Sequence, residues 1–460
     1  MSKTFILGCE LPTRARLNRI PAVAYRTEQF VLPLQKDGHH IFLCASNFYA
    51  PIADIQLSED KNLVYCAMNY EHYDRAARIK ELCLEYDPDC IVAINLTACA
   101  LAAQLDLPFP LWCDLYGGPL CEAQAKAYIF NDDEWIKNYW LNDELHLTRA
   151  DMFSTCSTYQ EHFITGQLSM LGRLSKATFG YRFAYSIPPA ISGTAAHYIS
   201  APPIVRGKVV HTTDPIILWA GGYNTWADIE TLYQGLEIVF NHNPTVKFIS
   251  AGGAIDGHDH ITYKRFLSLI DNSKHRDNYI MLGWMPYGEV LQLYRESDIG
   301  INVDKYHYET VYGTRTRIVE MIQNMLPVIT SRCCELSHVI AWNELGLTFA
   351  NAQAEELATT LLNYFKKLPG IKEYYSQKAF DYFKSHYSYD TTTAPLREWV
   401  KAPRKAPDAD PRTRPLIAPR SIMDSCRRAI EDNPDGMIHF KRLALNKLKA
   451  KIRKMKKRWR

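Results

Sequence analysis

The stretch PIILWAGGYNTWADIETLYQGLEIVF, residues 215–240, decides the fold class of this 460-residue chain. It opens with an apolar run that ends at Gly221 and Gly222, a pattern typical of a buried strand followed by a tight turn. Residues 226–240 then place apolar side chains at helical spacing. A buried strand joined through a glycine turn to a helix is the repeating unit of a parallel sheet covered by helices on both faces.

The same alternation continues on both sides of this stretch. In the second half, further strands are predicted at 246–253, 278–284, 298–304 and 327–330, and further helices near 261–271, 287–296, 353–366 and 371–384. In the first half, strand-like runs lie at 4–8, 40–45, 88–95, 107–118 and 150–157, and helices at 23–37, 73–86 and 159–171. The predicted fold class is therefore α/β, with two doubly wound Rossmann-like domains that face each other across a cleft.

These elements divide the chain into predicted domains. The N-terminal domain spans residues 1–200 and ends in a connector at 184–193, and the C-terminal domain spans residues 201–385. A stretch rich in proline and charge begins at residue 401, and we expect 401–440 to be an extended, poorly packed linker. It leads to a basic helical tail at 441–460.

The charge of the chain is concentrated in that tail. Residues 441–460 hold 11 Lys and Arg and no acid, so the rest of the chain has 42 basic against 50 acidic residues. An acidic body disfavours nucleic acid as a partner. Within the tail, Leu448, Ile452, Met455 and Trp459 form an apolar stripe at helical spacing, which favours an anionic membrane surface. RNA binding and a solvated tail stay open as alternatives.

Composition excludes several other classes. No run of about 18 apolar residues exists, and the N-terminus reads as a first strand rather than as a signal peptide. The 12 cysteines contain no CxxC pair and several lie in apolar runs, which indicates buried thiols and a reduced, cytoplasmic compartment. No ligand spacing for zinc is present. We expect neither a metal site nor a cofactor.

Three predicted strand ends of the second half carry residues suited to a nucleotide. The first is AGGYNTWAD, residues 220–228, where Gly221 and Gly222 let a ligand approach the backbone and Asn224 can cap the next helix. The alternative is a plain strand–helix turn. The second is LGWMPYGE, residues 282–289, where Gly283 and Trp284 offer backbone groups and a flat surface to a nucleobase, unless Trp284 packs under its own loop.

The third strand end is YGTRTRIVEMIQNMLPVIT, residues 312–330. Its helix is preceded by Gly313, Thr314, Arg315, Thr316 and Arg317. Arginines at a helix N-terminus oppose the helix dipole, so their presence indicates an anion bound between them and the free backbone N–H groups. Glu320 can accept hydrogen bonds from a ribose diol. Salt bridges to surface acids are the alternative for the arginines.

The first half contributes two candidate acceptor-positioning residues. Asn95 and Asp114 stand at the ends of predicted strands, and we expect both to face the cleft. Their alternative role is to cap the strand ends.

With these features the chain resembles the retaining glycosyltransferases of the GT-B fold, close to family four (glycosyl transferases group 1, polysaccharide-biosynthesis type). The residues that carry the resemblance are Tyr312-Gly313…Glu320, in the register of the family's Glu-Gly…Glu motif, and the following MLPVITS. The stretches AGGYNTWADIETLYQGLE and LGWMPYGEVLQLYRESDIGIN match in order.

The resemblance implies roles for these residues. Glu320 would bind the donor ribose, the amides of 314–316 the phosphate or donor sugar, the loop 283–286 the base, and Gly222 the diphosphate. Residues 386–400 would form a helix that crosses back from the C-terminal, nucleotide-sugar-binding domain to the N-terminal, acceptor-side domain.

The chain departs from the family at two places. Tyr312 replaces the first Glu of the motif, and Trp226 and Ala227 stand where the family has an Arg and a Lys. We expect Arg315 and Arg317 to supply that missing charge, with Arg315, Asp114 and Asn95 as the catalytic candidates.

The predicted activity is sugar transfer from a nucleoside-diphosphate sugar to a glycan or lipid-linked acceptor, with retention and without metal. The predicted location is the cytoplasm, either free or peripheral on the inner face of the membrane. The alternatives are a non-catalytic scaffold or partner subunit of the same shape and a sugar-nucleotide epimerase.

Overall fold

The computed structural model describes residues 1–12, 20–47, 55–69, 76–192 and 202–414. The predicted tail at 441–460, and the part of the predicted linker beyond residue 414, lie outside the described residues. Among the helices of the described ranges, none combines the length and the apolar character needed to cross a membrane.

The N-terminal half folds around an eight-stranded sheet. Its strands are β1 (Lys3–Cys9), β2 (His40–Asn47), β3 (Gln56–Asp60), β4 (Leu63–Asn69), β5 (Cys90–Ile94), β6 (Leu111–Leu115), β7 (Met152–Thr155) and β8 (Ala184–Ser186). The strand order is β3-β4-β2-β1-β5-β6-β7-β8, and all pairs are parallel except β3 with β4. The central strands are mostly apolar and almost wholly buried because helices cover both faces of the sheet.

Helices cover both faces of this sheet. They are α1 (Ala22–Lys36), α2 (Ala76–Tyr86), α3 (Leu96–Gln104), α4 (Pro119–Phe130), α5 (Glu134–Arg149) and α6 (Thr158–Met170). Two hydrophobic clusters result, one on each face, with Phe5 and Phe42 in one and Phe30 and Trp112 in the other.

The C-terminal half folds around a six-stranded parallel sheet. Its strands are β9 (Ile216–Ala220), β10 (Lys247–Ala251), β11 (Tyr279–Gly283), β12 (Ile299–Asn302), β13 (Val328–Ser331) and β14 (Leu347–Phe349). The order β11-β10-β9-β12-β13-β14 reverses direction between β9 and β12. The carboxyl ends of strands at such a reversal are where open α/β sheets bind ligands.

Eight helices of the described chain accompany this sheet. They are α7 (Ile229–His242), α8 (Ile261–Asp271), α9 (Tyr287–Glu296), α10 (Tyr308–Tyr312), α11 (Thr316–Gln323), α12 (Glu335–Trp342), α13 (Ala354–Phe365) and α14 (Gly370–His386). Together, the two sheets and their helices give the predicted α/β architecture of two doubly wound domains.

After α14 the chain returns to the N-terminal half through two short helices, α15 (Tyr389–Thr392) and α16 (Ala394–Lys401). Trp399 packs against Trp112, with ring centroids 5.4 Å apart. The Arg397 guanidinium donates to both carboxylate oxygens of Asp37 at 2.6 Å. The C-terminal segment thus fastens the end of one domain to the other.

Residues 402–414 correct one prediction, because they pack closely rather than forming an extended linker. The Arg173 guanidinium donates to both oxygens of Asp408 at 2.8 and 2.9 Å, and both side chains are fully buried. Ala406 is buried, and its N–H donates to Asp151 at 2.9 Å. Asp408 and Arg414 of this stretch have partners on the N-terminal domain, Arg173 and the Thr148 carbonyl, which its composition alone does not reveal.

The first three residues of the predicted connector 184–193 correct a second prediction. Ala184–Ser186 form β8, the edge strand of the N-terminal sheet, rather than a connector between domains.

Candidate functional site

A cleft of about 850 Å³ lies between the carboxyl edges of the two sheets. Its N-terminal wall includes residues that follow β5 and β6, and its C-terminal wall includes the loops after β9, β10, β11 and β12. Many of the predicted site residues line it, namely Asn95, Gly221, Gly222, Asn224, Trp284, Thr314, Arg315, Thr316, Arg317 and Glu320.

The glycine turn after β9 brings backbone to the surface of the cleft. Gly221 has a φ of +108°, which favours glycine, and its N–H donates to the Ala251 carbonyl at 2.8 Å. A Cβ on Gly252 would lie 1.9 Å from the Gly221 carbonyl oxygen. A Cβ on Gly222 would lie 2.5 Å from the side chain of Ile255. The loops after β9 and β10 therefore pack directly against each other at these glycines.

Arg317 lies directly beside this turn. Its guanidinium stacks on the Trp219 ring at 3.9 Å, and Nη2 donates to the Gly222 carbonyl at 2.7 Å. Burial lowers the pKa of Arg317 to about 10, so the side chain stays charged at neutral pH. Among the described cleft-lining residues, it is the arginine that has no carboxylate at ion-pair distance. Arg317 thus offers an uncompensated positive charge to an anion.

Arg315 forms salt bridges with acidic residues, which is the alternative role that the sequence left open for it. Its guanidinium donates to Asp304 at 2.7 Å and to Glu309 at 2.8 and 3.1 Å, and all three side chains are buried. Burial disfavours the charge, but attraction to the two carboxylates outweighs it and raises the pKa of Arg315. The prediction that Arg315 supplies free charge is therefore wrong, because that charge is already compensated within the domain.

Glu320 lies half-buried in the cleft, among tyrosines from both domains. Burial raises the pKa of its carboxyl to about 8, despite a hydrogen bond from Tyr25 of α1 that lowers it. The Tyr25 and Tyr287 rings lie 6.3 Å apart, and both line the cleft. The carboxyl of Glu320 is thus accessible to a ligand and already has one hydroxyl partner.

Of the remaining C-terminal candidates, some line the cleft and others do not. Trp284 lines the cleft and is 36% exposed, while its Nε1 donates to the Ala254 carbonyl at 2.8 Å. Thr316 lines the cleft, and its hydroxyl is hydrogen-bonded to Tyr116 of the N-terminal domain. Gly283 and Gly313 are not among the described lining residues. A Cβ on Gly313 would lie 2.5 Å from the Glu309 carbonyl, so this glycine serves local packing.

The two N-terminal candidates, Asn95 and Asp114, differ in whether they face the cleft. Asn95 lines the cleft and caps α3, where its side chain accepts from the Leu96 N–H at 2.8 Å. Asp114 is fully buried, bonded to the Arg26 guanidinium at 2.7 and 2.9 Å and to the Ser154 hydroxyl at 2.6 Å. The prediction that Asp114 faces the cleft is therefore wrong, because its carboxylate compensates a buried arginine.

Tyr312, which replaces the first Glu of the family motif, packs between the domains. Its ring stacks on Phe163 of α6, with centroids 4.8 Å apart, and its carbonyl accepts from the Ser157 hydroxyl at 2.7 Å. It is absent from the described residues that line the cleft.

Several lining residues were not identified from the sequence. Tyr25, Tyr116 and Glu122 come from the N-terminal domain, and His258 and Tyr287 from the C-terminal domain. Glycines at the strand ends, in LYGG and in AGGAIDGHDH, are the only signal that marks two of these regions. In the described ranges, His, Cys, Asp and Glu side chains form no group of three or more that could hold a metal ion.

Comparisons with known proteins find one matching family and many solved structures of similar fold. Residues 214–367 match the family described as glycosyl transferases group 1. Sucrose-phosphate synthase from Thermosynechococcus elongatus has a similar structure, with a TM-score of 0.67 and 14% identity over 87% of this chain and 98% of that one. A search of the curated proteins finds no match.

Two further structures resemble the chain to a similar degree. A trehalose-6-phosphate protein from E. coli, bound with UDP-2-fluoro glucose, has a TM-score of 0.64 and 12% identity, and the match covers 88% of this chain and all of that one. The α,α-trehalose-phosphate synthase (UDP-forming) from Burkholderia xenovorans, in complex with glucose-6-phosphate, has a TM-score of 0.60 and 10% identity over 87% of this chain and all of that one. The chain therefore has the GT-B fold, and residues 214–367 of its C-terminal half are similar to the glycosyl transferases group 1 family.

Proposed function

We propose that this protein transfers a sugar from a nucleoside-diphosphate sugar to a glycan or lipid-linked acceptor. The observation that carries the proposal is the position of Arg317, an uncompensated cation beside the glycine turn 221–222. Glu320 lies in the same cleft and would accept hydrogen bonds from the ribose, and Trp284 would provide a surface for the base. A UDP-sugar in the E. coli structure and a sugar phosphate in the Burkholderia structure support this class of ligands.

Stabilising the departing nucleoside diphosphate is the main chemical demand of this reaction. Arg317 and the free N–H groups at the start of α11 would face the diphosphate and stabilise its charge. Arg317, and not Arg315, would thus supply the charge that an Arg and a Lys provide in the family.

The proposed stereochemical course is retention, without metal. The acceptor hydroxyl would attack the anomeric carbon on the face that the diphosphate leaves. A bond forms between the acceptor oxygen and the anomeric carbon as the bond to the phosphate oxygen breaks. The hydroxyl proton passes to that phosphate oxygen. No protein nucleophile takes part in this course.

We further propose that the acceptor belongs to the synthesis of a polysaccharide such as lipopolysaccharide, at the cytoplasmic face of a membrane. The basic charge and the apolar stripe of residues 441–460 support this proposal.

Thermal-shift measurements with UDP-, GDP-, ADP- and CDP-glucose test the donor class. We expect one nucleotide to raise the melting temperature well above the other three, because a ligand that binds only the folded state stabilises it. No shift with any of the four would contradict the proposal.

A non-catalytic scaffold of the same shape is the second candidate, favoured by the packing of Tyr312 away from the cleft and by the ion pairs of Arg315. Release of nucleotide from the stabilising sugar nucleotide in the presence of an acceptor distinguishes the two. Nucleotide-sugar binding without any release would favour the scaffold.

A further inference from the structure

One corner of the N-terminal domain exposes large apolar side chains. It is formed by the end of α6 and the loop that leads to β8, where Met170 is 83%, Leu174 45% and Phe179 94% exposed. The loop is closed by a hydrogen bond from the Thr178 hydroxyl to the Arg173 carbonyl at 2.7 Å. Apolar side chains grouped at a surface in this way mark a contact with another molecule or with a membrane.

The segment that follows α16 brings positive charge to the same corner. The Ala406 N–H donates to the Asp151 carboxylate at 2.9 Å, and the Tyr181 hydroxyl donates to the Asp151 carbonyl at 3.0 Å. Burial raises the pKa of Tyr181 to about 12, although the nearby charge of Arg404 opposes this rise. Arg404 and Lys405 are both exposed, directly before Ala406. Two cations therefore lie next to the loop that carries the apolar side chains.

The charge of this corner is not compensated. Residues 162–182 contain no acid and contribute Lys176, which is exposed. Lys176, Arg404 and Lys405 form no ion pair with any described residue, while Asp408 and Asp410 of the segment 402–414 are each paired with an arginine. Free cations beside exposed apolar groups are typical of a surface that binds anionic lipid.

We propose that this corner, the Phe179 surface, docks on an anionic membrane. It comprises the exposed side chains of Met170, Leu174, Lys176, Phe179, Arg404 and Lys405. The apolar side chains enter the headgroup region, and the cations meet lipid phosphates. The inference rests on the proposed membrane location and deepens it, because it assigns a membrane contact to the folded N-terminal domain.

The path of the chain fits a contact in two parts. Arg414, at the end of the described chain, donates to the Thr148 carbonyl at 2.8 Å and lies 3.1 Å from Asp408. The chain therefore leaves towards the basic residues 441–460 from the domain that carries the Phe179 surface. One weak contact gives only reversible binding, and stable attachment needs a second. The Phe179 surface and the tail provide these two contacts.

Docking through the Phe179 surface leaves the cleft open. The loop before β8 lies at the amino edge of the N-terminal sheet, whereas the cleft lies at its carboxyl edge. The membrane would therefore contact the side of the domain that faces away from the cleft. An acceptor anchored in the same bilayer would need a glycan long enough to reach past the domain.

Co-sedimentation of the full chain with vesicles tests the inference. The vesicles contain equal parts of phosphatidylcholine and phosphatidylglycerol. We expect Phe179→Ser and the double variant Arg404→Gln/Lys405→Gln each to bind at least about fivefold more weakly than wild type, because one loses an inserted ring and the other two lipid contacts. High salt should narrow the difference between wild type and the double variant and retain the effect of Phe179→Ser, since salt screens only the charges.

Leu57→Ser and Lys366→Gln are the matched controls. Both side chains are exposed, Leu57 on the edge strand β3 and Lys366 after α13 of the C-terminal domain, and both variants should bind like wild type. Equal binding by wild type, Phe179→Ser and the double variant would overturn the inference and leave the tail as the membrane contact. Equal weakening by the controls would overturn it as well. If the wild-type chain does not bind these vesicles, the proposed membrane location is wrong and the inference falls with it, whereas donor binding through Arg317 is measured separately.

Discussion

Arg315 and Arg317 lie two residues apart at the start of α11, yet their surroundings give them different roles. The carboxylates of Asp304 and Glu309 fix Arg315 inside the C-terminal domain. Arg317 lies against Trp219 and the glycine turn and meets no carboxylate at ion-pair distance in the described structure. We therefore assign Arg315 to stability and propose Arg317 for ligand binding.

The stability role of Arg315 can be measured directly. Replacing Arg315 by Gln leaves two buried carboxylates without their cation, and we expect the free energy of unfolding to fall by about 3–5 kcal/mol. Denaturant unfolding of Arg315→Gln provides the measurement. Arg332→Gln is the matched control, since the Arg332 pair with Glu356 is partly exposed and should contribute about 1 kcal/mol or less. A loss of about 1 kcal/mol or less in Arg315→Gln, no larger than that in Arg332→Gln, would show that the buried pairs do not stabilise the domain.

Glu320 gives a prediction about pH. Its pKa of about 8 in the folded protein exceeds the ordinary value of 4.5, so the folded state holds a proton that the unfolded chain releases. The stability that comes from this proton is fully present below about pH 4.5 and is lost as the pH rises to about 8. The stability of Glu320→Gln minus that of wild type should therefore be larger at pH 8 than at pH 5.

Melting temperatures of the two proteins at both pH values test this expectation. Glu289→Gln, on the exposed surface of α9, serves as the control and should show no such difference. A constant offset between wild type and Glu320→Gln across the range would contradict the account.

The sequence identified many residues that line the cleft, but it did not identify the ion pairs that some of them form. Glycines and polar residues at strand ends marked positions 221–224 and 314–320, because strand ends in parallel sheets share one edge. The acids that bind Arg315 lie 11 and 6 residues before it, and a fold must bring them back to the guanidinium. Asp114 was misplaced for a similar reason, since its partner Arg26 is 88 residues away.

Elements with a clear hydrophobic period were predicted best. The helix predicted near 261–271 is observed at Ile261–Asp271, and that predicted at 287–296 at Tyr287–Glu296. The hairpin partner β3 was not predicted, because all five residues of Gln56–Asp60 are exposed and carry no hydrophobic period. Local pattern thus defined many of the elements that face a core, but it also missed β4, whose residues Leu63–Asn69 are largely buried.

The segment 402–414 shows why composition was a poor guide beyond α16. Asp408→Asn should lower the free energy of unfolding by about 3–5 kcal/mol, since it leaves the buried Arg173 without its charged partner. Thermal or denaturant unfolding of the full chain measures the effect. Asp410→Asn, two residues further along and exposed, is the control and should behave like wild type. If both variants unfold like wild type, the segment does not stabilise the domain.

At the scale of the whole molecule, the cleft depends on both domains. Tyr116 reaches Thr316, and Tyr25 reaches Glu320, across the boundary between the sheets. The alternation of strands and helices predicted two domains and a cleft, but not which side chains cross it. That information depends on the relative placement of the domains, which local sequence does not contain.

The tail at 441–460 gives a further prediction at this scale. If its 11 basic residues and apolar stripe bind an anionic surface, full-length protein should sediment with vesicles that contain anionic lipid, and a chain ending at residue 440 should not. Vesicles of neutral lipid and high salt are the controls, and both should reduce sedimentation of the full chain. Equal sedimentation of the two chains would exclude this role for the tail.

The central claim is that the carboxyl edge of the C-terminal sheet binds a diphosphate through Arg317. Titration calorimetry of the stabilising nucleoside diphosphate with wild type, Arg317→Gln and Arg265→Gln tests it most directly. Arg265 is an exposed cation on α8 and serves as the control. We expect Arg317→Gln to bind at least about tenfold more weakly than wild type, because it loses a charge-assisted contact to phosphate, and Arg265→Gln to bind like wild type. Unchanged affinity in Arg317→Gln would contradict the account.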